Sequence, residues 1–309
     1  ASVVGTHHSV AIKTVKLRDS GREVEALQRV RGGPNVVTLL GCFEGVEALP
    51  QERSLNLVLE FVSDTLQRII KHHRQLGTWM DMHFVRLYMH QLLRGLACLT
   101  RHRVVHRDIK PANLLVDPAS HTLKVCDFGT SKFLDGAEAQ QPYVCSRYYR
   151  APELILSVPE CTFAVDMWSA GCVLAEMLLG LPLFPGKDGV DQLHQIFEIL
   201  GTPSPGELHA MNPQYDAAVG FGPPIEALPW GTVLGPLRSS PEVNSLLGQI
   251  LQYDPSGRPQ PMEAMAAAMF DELRRKAPEL DPAFFNFTQE ELEICPPGFG
   301  QRLIPWRRR

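Results

Sequence analysis

Residues 9–15, SVAIKTV, alternate loosely between apolar and polar positions, and residues 55–62, LNLVLEFV, are almost continuously apolar. Short runs of this kind, rich in β-branched and aliphatic residues, predict strands. Between them GREVEALQRV (21–30) sets Val24, Leu27 and Val30 at helical spacing, with acids near its start, so one helix sits among strands. After about residue 65 the period changes. MHFVRLYMHQLLRGLACL (82–99) puts Val85, Met89, Leu92, Leu93 and Leu96 on one helical face, and helical patterns dominate from there. The pattern predicts an α+β chain of two lobes. A small β-rich lobe covers residues 1–61, and a larger, mainly helical lobe covers 62–309. The connector falls at Glu60–Thr65, and clefts between such units are favoured ligand sites.

Composition narrows the function classes. A chain of 309 residues with 44% hydrophobic content can bury a large core, and its length favours two units over one. The net charge of −4 gives no chain-wide basic field for nucleic acid, and Arg307-Arg308-Arg309 reads as a solvated tail. Seven cysteines without a CxxC pair argue against a disulfide framework and against a zinc knuckle. That usage fits a reducing compartment, the cytoplasm with the nucleus also open, and the N-terminus lacks a signal-peptide pattern. The most apolar window (167–184) is too short to span a bilayer and carries Glu176, so it reads as a buried helix and no membrane partner is expected.

The chemistry concentrates in VHRDIKPANLLVD (105–117), where His106, Arg107, Asp108, Lys110 and Asn113 interrupt two apolar runs. Val104-Val105 and Leu114-Leu115-Val116 read as short buried strands, so the loop between them is anchored at both ends, as functional loops often are. From this stretch alone a solvated turn, with Pro111 and Asn113 as turn formers, reads equally well. Three further phrases follow: KVCDFG (124–129), SRYYRAPE (146–153) and DMWSAGC (166–172), while VAIK (10–13) precedes. Each alone is weak. The H-R-D, four-residue gap, N, then D-F-G pattern has a chance frequency on the order of 10⁻⁹ per start site. Together, and in this order, the phrases resemble the protein-kinase signature set.

That resemblance implies ATP and Mg²⁺ as cofactors, and phosphoryl transfer driven by positioning and charge neutralisation. Lys13 would hold the α- and β-phosphates, and Glu23 would pair with Lys13, with Glu25 as a nearby rival. Asp108 would accept or orient the proton of the substrate hydroxyl. Lys110 would stand near the transferred phosphate, as in Ser/Thr kinases. Asn113 and Asp127 would supply hard oxygen ligands to Mg²⁺. Leu59 would stand at the back of the ATP site, the backbones of Glu60 and Val62 would bond adenine, and Cys126 would border the site. The resemblance further implies structural roles for a Glu153–Arg258 ion pair, for Asp166 bracing the catalytic loop, and for a packed His106.

Among kinases the chain is most similar to the glycogen synthase kinase-3 family, within the group that also holds cyclin-dependent and mitogen-activated kinases. The carrying phrases are LNLVLEFV, HRDIKPANLLVD, CSRYYRAPELI, WSAGCVLAEMLLG, GVDQLHQIFEILGTP and FNFTQEEL. The likeness implies protein substrates already phosphorylated four residues C-terminal to the target, with Arg22, Arg107 and Lys132 receiving that phosphate. It implies a phosphorylated Tyr143 in the activation loop. It also implies a scaffold-docking region over 189–230, weakened by Gly222 where the family is more aromatic. No G-x-G-x-x-G stands before Lys13, only ASVVGTHHS, so a glycine-rich loop upstream of this sequence is expected. The alternatives are a catalytically impaired scaffold of the same fold, or another kinase of the same group.

Overall fold

Three strands, β1 (Val10–Lys16), β2 (Leu39–Gly45) and β3 (Ser54–Glu60), form an antiparallel sheet with β3 in the centre. The computed structural model describes residues 1–2, 9–45, 53–135, 146–158, 161–215, 222–295 and 297–304. The register sets Lys13 opposite Leu57 and Val10 opposite Glu60. No hydrophobic pattern announces β2, because Leu39 alone of its residues is buried and its outer positions face solvent. Helix α1 (Leu17–Arg29) follows β1 directly and buries Glu23, Ala26 and Leu27.

Beyond the sheet the chain is mainly helical, so the molecule has the two-lobed architecture read from its pattern. The connector is less open than its sequence suggests. Part of it forms the short strand β4 (Asp64–Thr65), which pairs with β6 (Leu114–Asp117), and β6 pairs in turn with β7 (Thr122–Val125). A second small ribbon joins β5 (Val104–Val105) to β8 (Lys132–Phe133). Helix α2 (Leu66–Gln75) starts at Thr65, whose hydroxyl accepts from the Arg68 N–H, and α3 (Met82–Arg101) starts at Asp81, whose carboxylate accepts from the His83 N–H. The single apolar face expected for α3 is too narrow a reading: residues 87–99 are buried all round. After α4 (Pro152–Ile155) comes α5 (Ala164–Leu179), the apolar helix of the sequence pattern. It packs on α3 and ends where Gly180 takes a φ of 73°.

Gly95 of α3 shows how closely the lobes are tied. A Cβ there would meet the Asn35 carbonyl oxygen at 2.9 Å and Val125 at 3.1 Å. That close approach lets the Val125 N–H donate to the Asn35 carbonyl (2.8 Å), and the Val37 N–H donate to the Val125 carbonyl (2.9 Å). The segment after α1 is thereby fixed to β7, immediately before Cys126 and Asp127.

In the large lobe the guanidinium of Arg258 donates to both oxygens of Glu153 at 2.6 and 2.8 Å. Both side chains are buried, at 0% and 4% exposure. Removing one partner of such a pair strands a charge. Glu153→Ala should therefore cost about 3–5 kcal/mol of stability. Denaturant unfolding monitors this directly, and an unchanged midpoint would show that the pair contributes nothing.

Candidate active site

The site forms where β1, α1, the loop after β5 and the end of β7 meet. Lys13 lies at mid-strand in β1, and its Nζ donates to Glu23 Oε1 and to Asp127 Oδ1, both at 2.6 Å. Glu23 is 3% exposed, whereas Glu25 turns outward and accepts from Arg29. Burial alone would lower the Lys13 pKa, but the bonds to Asp127 and Glu23 outweigh it, and the ammonium is held above its ordinary value. At Asp127 burial pushes upward, yet Lys13 prevails and holds the carboxyl below its usual range. Asp127 has a φ of 66°. Aspartate tolerates that left-handed region better than most residues.

The loop after β5 is held from beneath. Asp166, at the start of α5, accepts from the N–H of His106 (2.7 Å) and of Arg107 (2.8 Å). Burial raises the Asp166 carboxyl above its ordinary value, opposed by these two N–H donors. His106 is fully buried, and its Nε2–H donates to the Cys126 carbonyl at 2.9 Å. Its Nδ1 then accepts from the Asp108 N–H at 3.2 Å, which fixes one neutral tautomer. Arg107 has a φ of 63°, a costly conformation for a long side chain.

Asp108 gathers the donors of the site. Lys110 Nζ (2.6 Å) and Asn113 Nδ2 (2.9 Å) donate to its Oδ2. The N–H and hydroxyl of Ser146 donate to its Oδ1, at 3.0 and 2.9 Å. Lys110 Nζ also donates to Ser146 Oγ at 2.8 Å. Ser146 is absent from the residues inferred by resemblance, although a small hydroxyl residue opening SRYYRAPE was a visible signal.

Asn113 and Asp127 come together because of the β6–β7 register. Leu114 pairs with Val125, and one step further the Cys126 N–H donates to the Asn113 carbonyl at 3.0 Å. With the Asn113 amide nitrogen donating to Asp108, its oxygen remains to coordinate, beside the half-exposed Asp127 carboxylate. One carboxylate and one amide oxygen fit Mg²⁺, which takes its remaining ligands from phosphate and water. Among the described residues no cluster of three His, Cys, Asp or Glu side chains forms a protein-only metal cage.

At the connector, Leu59 is buried in the core. The Glu60 N–H already donates to the Thr38 carbonyl (3.0 Å), so adenine recognition through Glu60 would fall to its carbonyl. The Glu60 side chain, given no role from sequence, accepts from Lys124 Nζ at 2.6 and 2.7 Å and from the Thr38 N–H at 2.6 Å. That bond ties the connector to β7. Val62 follows, half-buried. Burial, chiefly, pushes the Cys126 thiol up to about 12, so it is no thiolate nucleophile at neutral pH.

Arg107 and Lys132 lie on neighbouring segments. Lys132 pairs across the ribbon with Val105, and the Arg107 guanidinium donates to the Thr130 carbonyl at 2.7 Å. Both cations pull down on the Cys161 thiol, which burial pushes up to about 12. α1 runs beside the same segment: Glu23 Oε2 is 3.6 Å from where a Cβ on Gly129 would stand, and Arg29 donates to Asp135 at 2.6 Å. Arg22, half-buried, precedes Glu23 on that helix. Tyr143 lies outside the described residues. In the 189–230 region, α6 (Gly189–Leu200) and the following loop expose Val190, Ile225 and Leu228.

The protein kinase domain, as a sequence family, matches residues 2–270, from the small sheet through most of the helical lobe. The chain belongs to the protein kinase domain family. Membership makes it a phosphotransferase that draws on ATP and a divalent metal and acts on protein.

Two measurements test this geometry. Ser146→Ala removes one hydroxyl from both Asp108 and Lys110 and should lower kcat about tenfold with little change in Tm. Unaltered kcat would remove Ser146 from the site. The second concerns pH. Asp127 has a depressed pKa, so the stabilisation by its ion pair is present above its unfolded value and lost as pH falls through the folded one. Lys13 is raised, so its share is present below its unfolded value and lost as pH rises through the folded one. The stability gap between wild type and Asp127→Asn should therefore stay flat from about pH 5 to about 9 and shrink in stronger acid. A gap that varies within that window would contradict the paired arrangement.

Proposed function

We propose that the chain is an active Ser/Thr kinase of the glycogen synthase kinase-3 type, selecting substrates with a phosphate four residues C-terminal to the target. The observation that carries the catalytic part is Asp108, positioned by Lys110, Asn113 and Ser146 next to the Lys13–Glu23–Asp127 chain. In this reading Asp108 orients the attacking hydroxyl and receives its proton, and Lys110 steadies the moving phosphoryl group. Lys13 holds the α- and β-phosphates in the direction Glu23 gives it. Asn113 and Asp127 would hold Mg²⁺, which neutralises phosphate charge when bound. Asp108→Asn should abolish phosphotransfer while leaving the fold intact, and retained turnover would point to another base.

Selection of primed substrates is supported by the three cations carried on α1, the catalytic loop and β8. Arg107 and Lys132 act on one buried thiol, and α1 flanks the same segment. A phosphoserine carries close to two negative charges and accepts several strong hydrogen bonds. Losing one charge-assisted bond should lower kcat/KM for a primed peptide about ten- to a hundredfold, with little effect on its unprimed twin. Arg22→Ala and Lys132→Ala are the informative variants, because Arg107 also belongs to the catalytic loop. Equal losses on both peptides would mean that these cations support the fold alone.

A further inference from the structure

A groove of about 640 Å³ opens beside the catalytic loop. One end is lined by Lys110 and Ser146, the partners of Asp108. Its far wall is α2, which contributes Arg68, Lys71 and Arg74 at every third position. All three are exposed. Arg68 reaches Asp64 at 3.3 Å, and neither Lys71 nor Arg74 forms an ion pair among the described residues. The one acid lining the groove, Glu176, is 6% exposed and accepts from the Tyr149 hydroxyl at 2.6 Å. Burial holds its carboxyl above its ordinary value. Among the described residues the groove therefore presents the positive charge of Lys71 and Arg74 with no exposed acid lining it, beside Lys110 and Ser146.

Its position along the catalytic loop gives it a direction. Arg107 precedes Asp108, on the side of β5 and β8. Lys110 and the turn Pro111–Asn113 follow, and α2 packs against that turn. A substrate whose C-terminal phosphate engages Arg22, Arg107 and Lys132 thus passes its hydroxyl at Asp108 and runs its N-terminal flank into the groove. We infer that Lys71 and Arg74, with Arg68, read acidic or phosphorylated residues on the N-terminal side of the target hydroxyl. The direction rests on the priming reading above; the charge preference of the groove does not.

The test uses four peptides on the full chain, primed or unprimed, each with an acidic or a neutral N-terminal flank. In wild type the acidic flank should raise kcat/KM about three- to tenfold at low salt, and the gain should fade as ionic strength rises. In Lys71→Glu and Arg74→Glu, the acidic-to-neutral ratio measured within each protein should fall to one or below. A ratio that stays the same in both variants, or that equals one in wild type, overturns the inference. The primed-to-unprimed ratio on the neutral-flank pair reports priming separately, so either idea can fail while the other stands. Fluorescence anisotropy with labelled acidic and neutral peptides reads the groove without turnover, and equal affinities there would also overturn it.

Discussion

One buried carboxylate sets the geometry on which the site depends. Asp166 is 4% exposed, and its two oxygens are taken by the N–H groups of His106 and Arg107. A carboxylate in that position carries a desolvation cost of several kcal/mol, offset by charge-assisted bonds of about 1.5–3 kcal/mol each. The pair of bonds holds Arg107 in a left-handed conformation that an arginine would not adopt unaided. With that turn fixed, Asp108 emerges toward Lys110, Asn113 and Ser146, and the Arg107 side chain is directed back to Thr130. His106 completes the brace by tying the loop to Cys126, the residue before Asp127. The loop after β5 and the segment before Asp127 are therefore fixed to one another.

Charge carries the connection from there to the small sheet. Lys13 bridges Glu23 and Asp127, which come from different lobes, and both acids approach the same ammonium. Among the described residues the ammonium is the cation that these two carboxylates share, so it draws α1 and the end of β7 together. A second bond across the connector, Glu60 with Lys124, acts near the same end of β7, three residues before Asp127. The two ion pairs thus fasten the end of β7 to the connector on one side and to the small sheet on the other.

Residue types were legible in the sequence where chemistry demands them in fixed local order. Asp108, Lys110 and Asn113 fall within six positions, and Asp127 stands inside a short phrase. Strands β1 and β3 with a helix between them, and a buried helix within 167–184, followed from the hydrophobic pattern alone. What escaped depends on tertiary neighbours. Lys13 and Asp127 are 114 positions apart, and only the fold gives the 2.6 Å between them. β2 escaped because a solvent-facing strand carries no apolar alternation. The Glu60–Lys124 pair escaped because two ordinary surface-type charges become partners only when the connector packs on β7. Ser146 escaped because a hydroxyl acquires a role solely through what it touches.

In the proposed reaction the lone pairs of Asp108 limit how a substrate hydroxyl can enter. An ionised carboxylate offers about four acceptor positions. Asp108 already receives four side-chain and backbone donors, from Lys110, Asn113 and twice from Ser146. In the proposed reaction an incoming hydroxyl would have to replace one of them. The Ser146 N–H cannot leave without moving the segment that leads to Tyr149, and Asn113 is held by a second bond to the Asp108 carbonyl. Lys110 keeps its charge attraction wherever the phosphoryl group goes. The Ser146 hydroxyl can give up its bond to Oδ1 by turning its proton away, while its oxygen still accepts from Lys110 Nζ. In the proposed reaction the hydroxyl thus keeps Asp108 paired beforehand and holds Lys110 in place once the substrate has taken over its bond to Asp108.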